Sequence, residues 1–180
     1  HQGRIVQFNA WGPKRAGQID VARLIALKPD IIVVEEASLQ LRDELRRTFP
    51  YSVASEADAV MIFSKRRPIS SGVRRVDPRL AWVPVARATY DAPGGPFPVA
   101  GVHYDWPTNP GYQHAQGRRA AMVLSDYPAR RLVLTGDFNS TPWSFTRRRE
   151  DAMYGMERRT RALFSWPAVS PTAGGAGNLL

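Results

Sequence analysis

The sequence predicts an α/β protein in which two packed β-sheets carry helices on their outer faces. Short apolar strands alternate with amphipathic helices over residues 4–50, a pattern typical of layered α/β folds. Short extended runs punctuated by Pro, Gly and Asp follow over residues 51–103, which indicates antiparallel strands and turns. The chain has 180 residues, of which 43% are hydrophobic, so we expect one domain over residues 1–180. This composition excludes a disordered tail, a collagen and a coiled coil.

The first part of the chain reads as β-α-β-α. Residues 4–8 predict a strand, and the helical spacing of apolar residues predicts a helix over residues 17–27. Residues 31–34 are apolar throughout, which predicts a strand buried on both faces. Ser38 is a suitable N-cap for a second helix, which ends near Pro50.

The rest of the chain predicts short strands and then a return to helices. The expected strands lie at residues 51–54, 59–64, 72–76, 81–90, 97–103 and 132–134. Helices are expected over residues 112–127 and from Trp143 onward.

The charge and the cysteine content limit the function. The net charge is +9, and 22 of the 25 basic residues are arginines, which suit phosphate oxygens. A polyanionic partner and a GC-rich genome, in which arginine codons are common, explain the excess of arginine equally well. The chain has no cysteine, which excludes disulfide scaffolds, thiolate metal sites and cysteine nucleophiles. Such a chain fits an oxidising compartment, and we expect an extracytoplasmic or membrane-tethered domain of a longer protein.

Polar side chains of catalytic type follow four apolar strands. They are Asn9, Glu35 and Glu36, His103 and Asp105, and Asp137 and Asn139. Each residue alone has a simpler explanation as a turn former, a solvated acid or a structural histidine. Groups that follow the carboxyl ends of neighbouring strands tend to share a crevice, however. An asparagine, acids and a histidine together suit a hard cation and a phosphate ester.

These motifs resemble the endonuclease/exonuclease/phosphatase superfamily of DNase I-like phosphodiesterases. The ordered series covers residues 4–143 and ends on the most specific motif, Gly-Asp-Phe-Asn at residues 136–139. Its other members are Asn9, Asp-Ile-Ile-Val-Val-Glu-Glu at 30–36, Ala-Val-Met-Ile-Phe-Ser-Lys at 59–65 and Val-His at 102–103. The resemblance implies a four-layer α/β/β/α sandwich of two packed mixed sheets.

The resemblance also implies roles for individual residues. Glu36 is expected to be the main ligand of Mg²⁺ or Mn²⁺, with Asn9 supporting metal and phosphate. Asp137 is expected to orient or activate the attacking water, and Asn139 to contact the phosphate. His103 is expected to face the scissile phosphate. The implied reaction is in-line attack of water on a phosphoester.

Two features depart from the family pattern. The family usually has Gln where this chain has Glu35, which we expect either to lie behind the metal ligands or to point away. The family also closes with an Asp-His pair and a Ser-Asp-His motif, yet no His follows His114. We therefore expect that the last strands of the domain are missing, that an uncovered sheet edge lies near residues 170–180, and that activity is weak.

Three functions remain open from the sequence. The leading one is Mg²⁺-dependent hydrolysis of nucleic-acid phosphodiesters, because of the positive charge. The second is hydrolysis of a phospholipid or phosphoinositide, because basic surfaces also contact anionic membranes. The third is a non-catalytic module that binds phosphate ligands, which the missing acid/base histidine favours.

Overall fold

The computed structural model describes residues 3–11, 21–140 and 144–159. The chain divides into two compact units, His1–Asn139 and Ser140–Leu180. Within the described residues, the first unit contains two four-stranded mixed sheets, which confirms the predicted fold class. Its elements are β1 (Ile5–Asn9), α1 (Val21–Ala26), β2 (Ile31–Glu35), α2 (Leu39–Thr48), β3 (Tyr51–Ala54), a 3₁₀ turn (Glu56–Asp58), β4 (Val60–Ser64), β5 (Ser70–Ser71), β6 (Val85–Tyr90), β7 (Phe97–His103), α3 (Pro110–Leu124) and β8 (Val133–Asp137).

Each sheet contains one parallel pair of strands. The first sheet has the order β1-β2-β4-β3, with β1 and β2 parallel and Asn9 beside Glu35. The second has the order β5-β6-β7-β8, with β7 and β8 parallel and His103 beside Asp137. The carboxyl ends of these four strands therefore lie at corresponding edges of the two sheets. We call this edge the site end of the first unit, and the other edge its opposite end.

The two sheets pack face to face through an apolar core. Buried aliphatic side chains from β2 and β4 meet those of β6 and β7. Gly101 in β7 permits this close approach, because a Cβ there would lie 2.6 Å from Val33 Cγ1 and 2.7 Å from Val60 Cγ1. Any larger residue at this position would push the sheets apart.

Helices cover the outer faces. Leu41 and Leu45 of α2 are buried against the outer face of β2 and β4. The side chain of Ser38 accepts a hydrogen bond of 3.2 Å from Leu41 N, so the predicted cap is confirmed. On the second sheet, α3 buries two glutamines, Gln113 and Gln116, and both bond to backbone near the ends of the strands.

One predicted strand is wrong, and another begins later than expected. Residues 72–76 form no strand, and the strand expected from residue 81 begins at Val85. Instead this connection is tied to α3: Arg119 donates to the carbonyls of Asp77 and Leu80. Side-chain bonds to a helix thus replace the ladder bonds that a strand would need, and Pro84 has no N–H to contribute.

The described part of the second unit contains α4 (Phe145–Tyr154), as predicted. Ser144 caps it by accepting from Arg147 N at 3.1 Å, and Gly155 ends it in the left-handed conformation. None of the helices in the described ranges is long and apolar enough to cross a membrane. The first part of the helix expected over 17–27, and the sheet edge expected near 170–180, lie outside the described residues.

Candidate active site

The four strand ends bring the predicted residues together. Asn9 ends β1, His103 ends β7 and Asp137 ends β8, while Glu36 directly follows β2. Glu36 adopts a left-handed backbone with φ of 52°, which is uncommon for a residue with a side chain. Its N–H donates to the carbonyl of Ala59 at 3.1 Å, so the turn is fixed by a backbone bond.

Asn9 joins the two sheets at this edge. Its Nδ2 donates to Glu36 Oε1 at 3.1 Å and to Asp137 Oδ2 at 3.0 Å. Its Oδ1 accepts from Trp11 N at 2.8 Å, which fixes the orientation of the amide. Two carboxylates from different sheets therefore face one another across a single amide nitrogen.

His103 also lies close to Glu36. Its Nε2 is 3.6 Å from Glu36 Oε1, longer than an ordinary hydrogen bond, and both side chains are partly exposed. Because His103 is also the register partner of Asp137, the imidazole belongs to the same cluster as both carboxylates. The structure thus brings together four of the residues singled out in the sequence, Asn9, Glu36, His103 and Asp137.

The Gly-Asp-Phe-Asn motif has a clear backbone reason for its glycine. Gly136 has φ of 140°, and a Cβ there would lie 2.0 Å from Val102 O. Asn139 is also left-handed, with φ of 45°, and its N–H donates to Asp137 Oδ1 at 2.8 Å. Its Nδ2 donates to Tyr104 O at 2.6 Å. The motif therefore aims Asp137 at the cluster and ties Asn139 to the segment after β7.

Comparison with known proteins agrees with this geometry. The sequence matches the Endonuclease/Exonuclease/phosphatase family over residues 6–179. The chain belongs to this family. The family's members are hydrolytic enzymes that act on phosphoesters and typically use divalent metals. No curated protein sequence gives a significant match.

Solved structures share the fold at low sequence identity. The human Nocturnin catalytic domain with bound sulfate has a TM-score of 0.66 at 18% identity, over 84% of this chain and 70% of that one. Sphingomyelinase C from Streptomyces griseocarneus has a TM-score of 0.59 at 18% identity, over 83% and 68%. D. rerio TDP2 with a single-strand DNA product has a TM-score of 0.58 at 13% identity, over 84% and 64%. These structural similarities support the fold of this chain.

Glu35 lies beneath the cluster rather than in solvent. The side chain is fully buried, and its Oε2 accepts from Gln7 Nε2 at 2.7 Å. No hydrogen-bond partner reaches its Oε1 within the described structure. Burial, helped by the nearby charges of Asp137 and Glu36, raises the pKa of Glu35 to about 8, although the bond from Gln7 works in the other direction. Of the two arrangements expected from the sequence, the structure has the one in which Glu35 lies behind Glu36 and Asp137 rather than pointing away.

Two buried glutamines of α3 hold the loops that carry the site. Gln113 Nε2 donates to the carbonyls of Asp105 at 3.1 Å and of Phe138 and Asn139 at 3.2 Å. Gln116 accepts from Asp105 N at 3.0 Å and donates to Trp82 O at 2.8 Å. The sequence analysis missed both. Their signal is helical spacing: they precede Ala120 and Val123 along the buried side of α3.

The remaining candidates lie at or near this edge. Asp105 is exposed, and its backbone rather than its carboxylate is held by α3. His114 is half-buried within α3. Trp106 and Trp82 are exposed by 56% and 38%, and both belong to segments that Gln113 and Gln116 tie to the site.

The site end carries mainly negative charge. Among the residues described in the first unit, its acids are Glu35, Glu36, Glu56, Asp58, Asp105 and Asp137. The arginine beside them, Arg42, is bound to Asp58 Oδ2 at 2.8 Å. A phosphate ester approaching this end would therefore meet carboxylates, and its binding needs an additional positive charge.

The donor set fits a divalent cation. In the described ranges, no group of three or more His, Asp or Glu side chains is arranged to hold a metal ion. Glu36 and Asp137 nevertheless present two carboxylates toward one another, and Mg²⁺ is commonly held by one or two carboxylates together with water. Asn9 presents its amide nitrogen to these carboxylates and its oxygen to Trp11 N, so it positions Glu36 in this arrangement.

Proposed function

We propose that this protein hydrolyses phosphodiester bonds with the help of a divalent cation held by Glu36. The observation that carries the proposal is the pair of carboxylates, Glu36 and Asp137, joined by Asn9 at 3.1 and 3.0 Å, with His103 Nε2 at 3.6 Å from Glu36. Two carboxylates held by one amide nitrogen concentrate negative charge at one place, and a cation would offset that charge.

The protein's own groups supply the remaining chemistry. When bound, Mg²⁺ or Mn²⁺ would offset the negative charge of the phosphate. Asp137 accepts the proton of a water whose oxygen bonds to phosphorus, and the bond from phosphorus to the ester oxygen breaks. The departing oxygen takes a proton from solvent. His103 donates a hydrogen bond to a phosphate oxygen as charge builds up, and Asn139, whose amide is bonded to Tyr104 O, holds Asp137 through its backbone N–H.

Nucleic acid is the first substrate to test. Two exposed tryptophans near the crevice, Trp82 and Trp106, offer faces on which bases stack. A neighbour in fold, TDP2, is bound to a single-strand DNA product. The net charge of +9 does not add to this argument, because the described part of the site end is acidic.

A phospholipid headgroup is the second candidate. The acidic surroundings of the site favour a small phosphodiester over a long polyanion, and one fold neighbour is a sphingomyelinase C. The two substrates differ in their response to salt. Turnover of a nucleic acid held along its backbone falls steeply as salt rises, whereas turnover of a soluble headgroup diester changes little.

The test is hydrolysis of a chromogenic phosphodiester by the full-length protein, with Mg²⁺ or with EDTA. We expect turnover only with the metal, and a loss on the order of 100-fold or more for His103→Ala. His114→Ala is the matched control, since it removes the other described histidine of this unit, and it should retain activity. If the unsubstituted protein binds phosphate without turnover, the proposed hydrolysis is wrong and the protein is a module that binds phosphate ligands.

A further inference from the structure

The end of the first unit that lies opposite the site is strongly basic. Exposed cations gather in the last turn of α2, in the loops that precede β1, β2 and β8, and in the loop that follows β4. They are Arg4, Lys28, Arg47, Lys65, Arg66, Arg67, Arg130 and Arg131. We call this group the basic end. Described acids in or beside these loops are Asp30, Asp91 and Asp126, and Asp126 is paired with Arg74 at 3.4 Å, so the eight cations outnumber the acids around them.

Backbone contacts show that the loops of the first sheet meet at one edge. Lys65 N donates to Asp30 O at 3.1 Å, and a guanidinium nitrogen of Arg4 bonds to Leu27 O. Lys65 Nζ also lies 5.8 Å from the ring of Phe49, which follows α2. The five residues of β2 separate this edge from the site by about 17 Å at 3.3 Å per residue.

Exposed apolar side chains stand among these cations. Ile69 is 58% exposed, Leu27 48% and Tyr51 38%. Ile69 follows Arg67 and Pro68, and its N–H donates to Thr89 O at 2.8 Å near the end of β6. Leu27 directly precedes Lys28, and Tyr51 pairs with Ser64 just before Lys65. The surface thus combines positive charge with aliphatic and aromatic groups.

We propose that the basic end binds the surface of an anionic lipid bilayer. Lys and Arg near such a surface are attracted to its phosphates, and interspersed Ile, Leu and Tyr enter the boundary between headgroups and acyl chains. A nucleic acid would use the cations but would gain little from the aliphatic side chains. Bound in this way, the protein directs its catalytic crevice away from the bilayer and toward soluble substrates.

Vesicle binding tests the proposal. Vesicles of phosphatidylcholine alone are compared with vesicles containing roughly one-third phosphatidylglycerol, at about 0.1 M salt. We expect binding to the anionic vesicles only. Arg66→Gln with Arg67→Gln should weaken it roughly 30-fold, at about 1 kcal/mol for each charge near the surface. The matched control, Arg79→Gln with Arg118→Gln, removes two exposed charges elsewhere and should change binding less than about threefold.

A third variant separates a membrane from a nucleic acid. Ile69→Ser removes apolar surface without changing charge, so it should lower vesicle binding about fivefold and leave binding to a DNA duplex unchanged. Equal binding to both vesicle types, or equal losses in the two double variants, would overturn the proposal. So would an unchanged vesicle affinity for Ile69→Ser. Turnover of a soluble phosphodiester should be the same in all three variants, so a failure here is distinguishable from a failure of the proposed hydrolysis.

Discussion

The two ends of the same strands differ in charge and in chemistry. At the site end, the residues that follow the strands are carboxylates, amides and a histidine, joined by Asn9 across the two sheets. At the basic end, the residues beside the strands are mainly exposed lysines and arginines. The difference teaches that the net charge of +9 is a poor guide to what the crevice binds, because opposite charges are segregated along the strand axis.

The largest expected difference between the ends is in catalysis. Asp137→Asn removes the carboxylate that is to accept a proton from water, and we expect turnover to fall at least ~100-fold. Asp91→Asn makes the same chemical change near the basic end and should leave turnover unchanged. Steady-state rates on one phosphodiester compare the two variants. Similar turnover rates in the two variants would contradict the assignment of catalysis to the site end.

The backbone at the site end is also less tolerant. Gly136→Ala places a Cβ against Val102 O at a φ of 140°, so we expect a loss of more than ~3 kcal/mol in the free energy of unfolding. Gly72→Ala is the control, because Gly72 also has a positive φ but nothing within 4 Å of the added atom. It should cost about 1 kcal/mol. Denaturant titration gives both values, and equal costs would contradict the steric explanation.

Glu35 makes the stability of the site end depend on pH. The pKa of Glu35 is raised from 4.5 to about 8 in the folded protein, so folding favours its protonated form. Without metal, the contribution of Glu35 to stability should be fully present below about pH 4.5 and be lost, by an amount of the order of a few kcal/mol, as pH rises to about 8. Glu35→Gln keeps the bond to Gln7 and should flatten this part of the pH profile. An unchanged profile in that variant would assign the dependence to another group.

The smallest effect is expected behind the site. Gln113→Ala removes the donor that the carbonyls of Asp105, Phe138 and Asn139 share. The loops that follow β7 and β8 then become less well positioned. We expect kcat to fall about tenfold with KM nearly constant. Gln40→Ala removes a glutamine from the surface of α2 and serves as the control. A change in KM alone would mean that Gln113 affects substrate binding rather than positioning.

The residues at the strand ends were predicted from the sequence more accurately than the segments that connect the strands. Asn9, Glu36, His103 and Asp137 were found because parallel strands deliver the residues after them to one edge. Glu35 was left undecided, because β2 is apolar on both of its faces and the sequence does not say which face enters the sandwich; in the structure Glu35 shares the inner face with Ile31 and Val33. The strand at 72–76 was predicted wrongly, since local pattern does not register long-range bonds such as those that tie this connection to α3.

Calorimetric titration with Mg²⁺ tests most directly whether the site end is a cation site. The protein should bind the metal, and Glu36→Gln should weaken binding at least ~10-fold by removing the expected main ligand. Asp91→Asn, near the basic end, should bind as the unsubstituted protein does. Equal Mg²⁺ affinity in Glu36→Gln and in the unsubstituted protein would contradict the account.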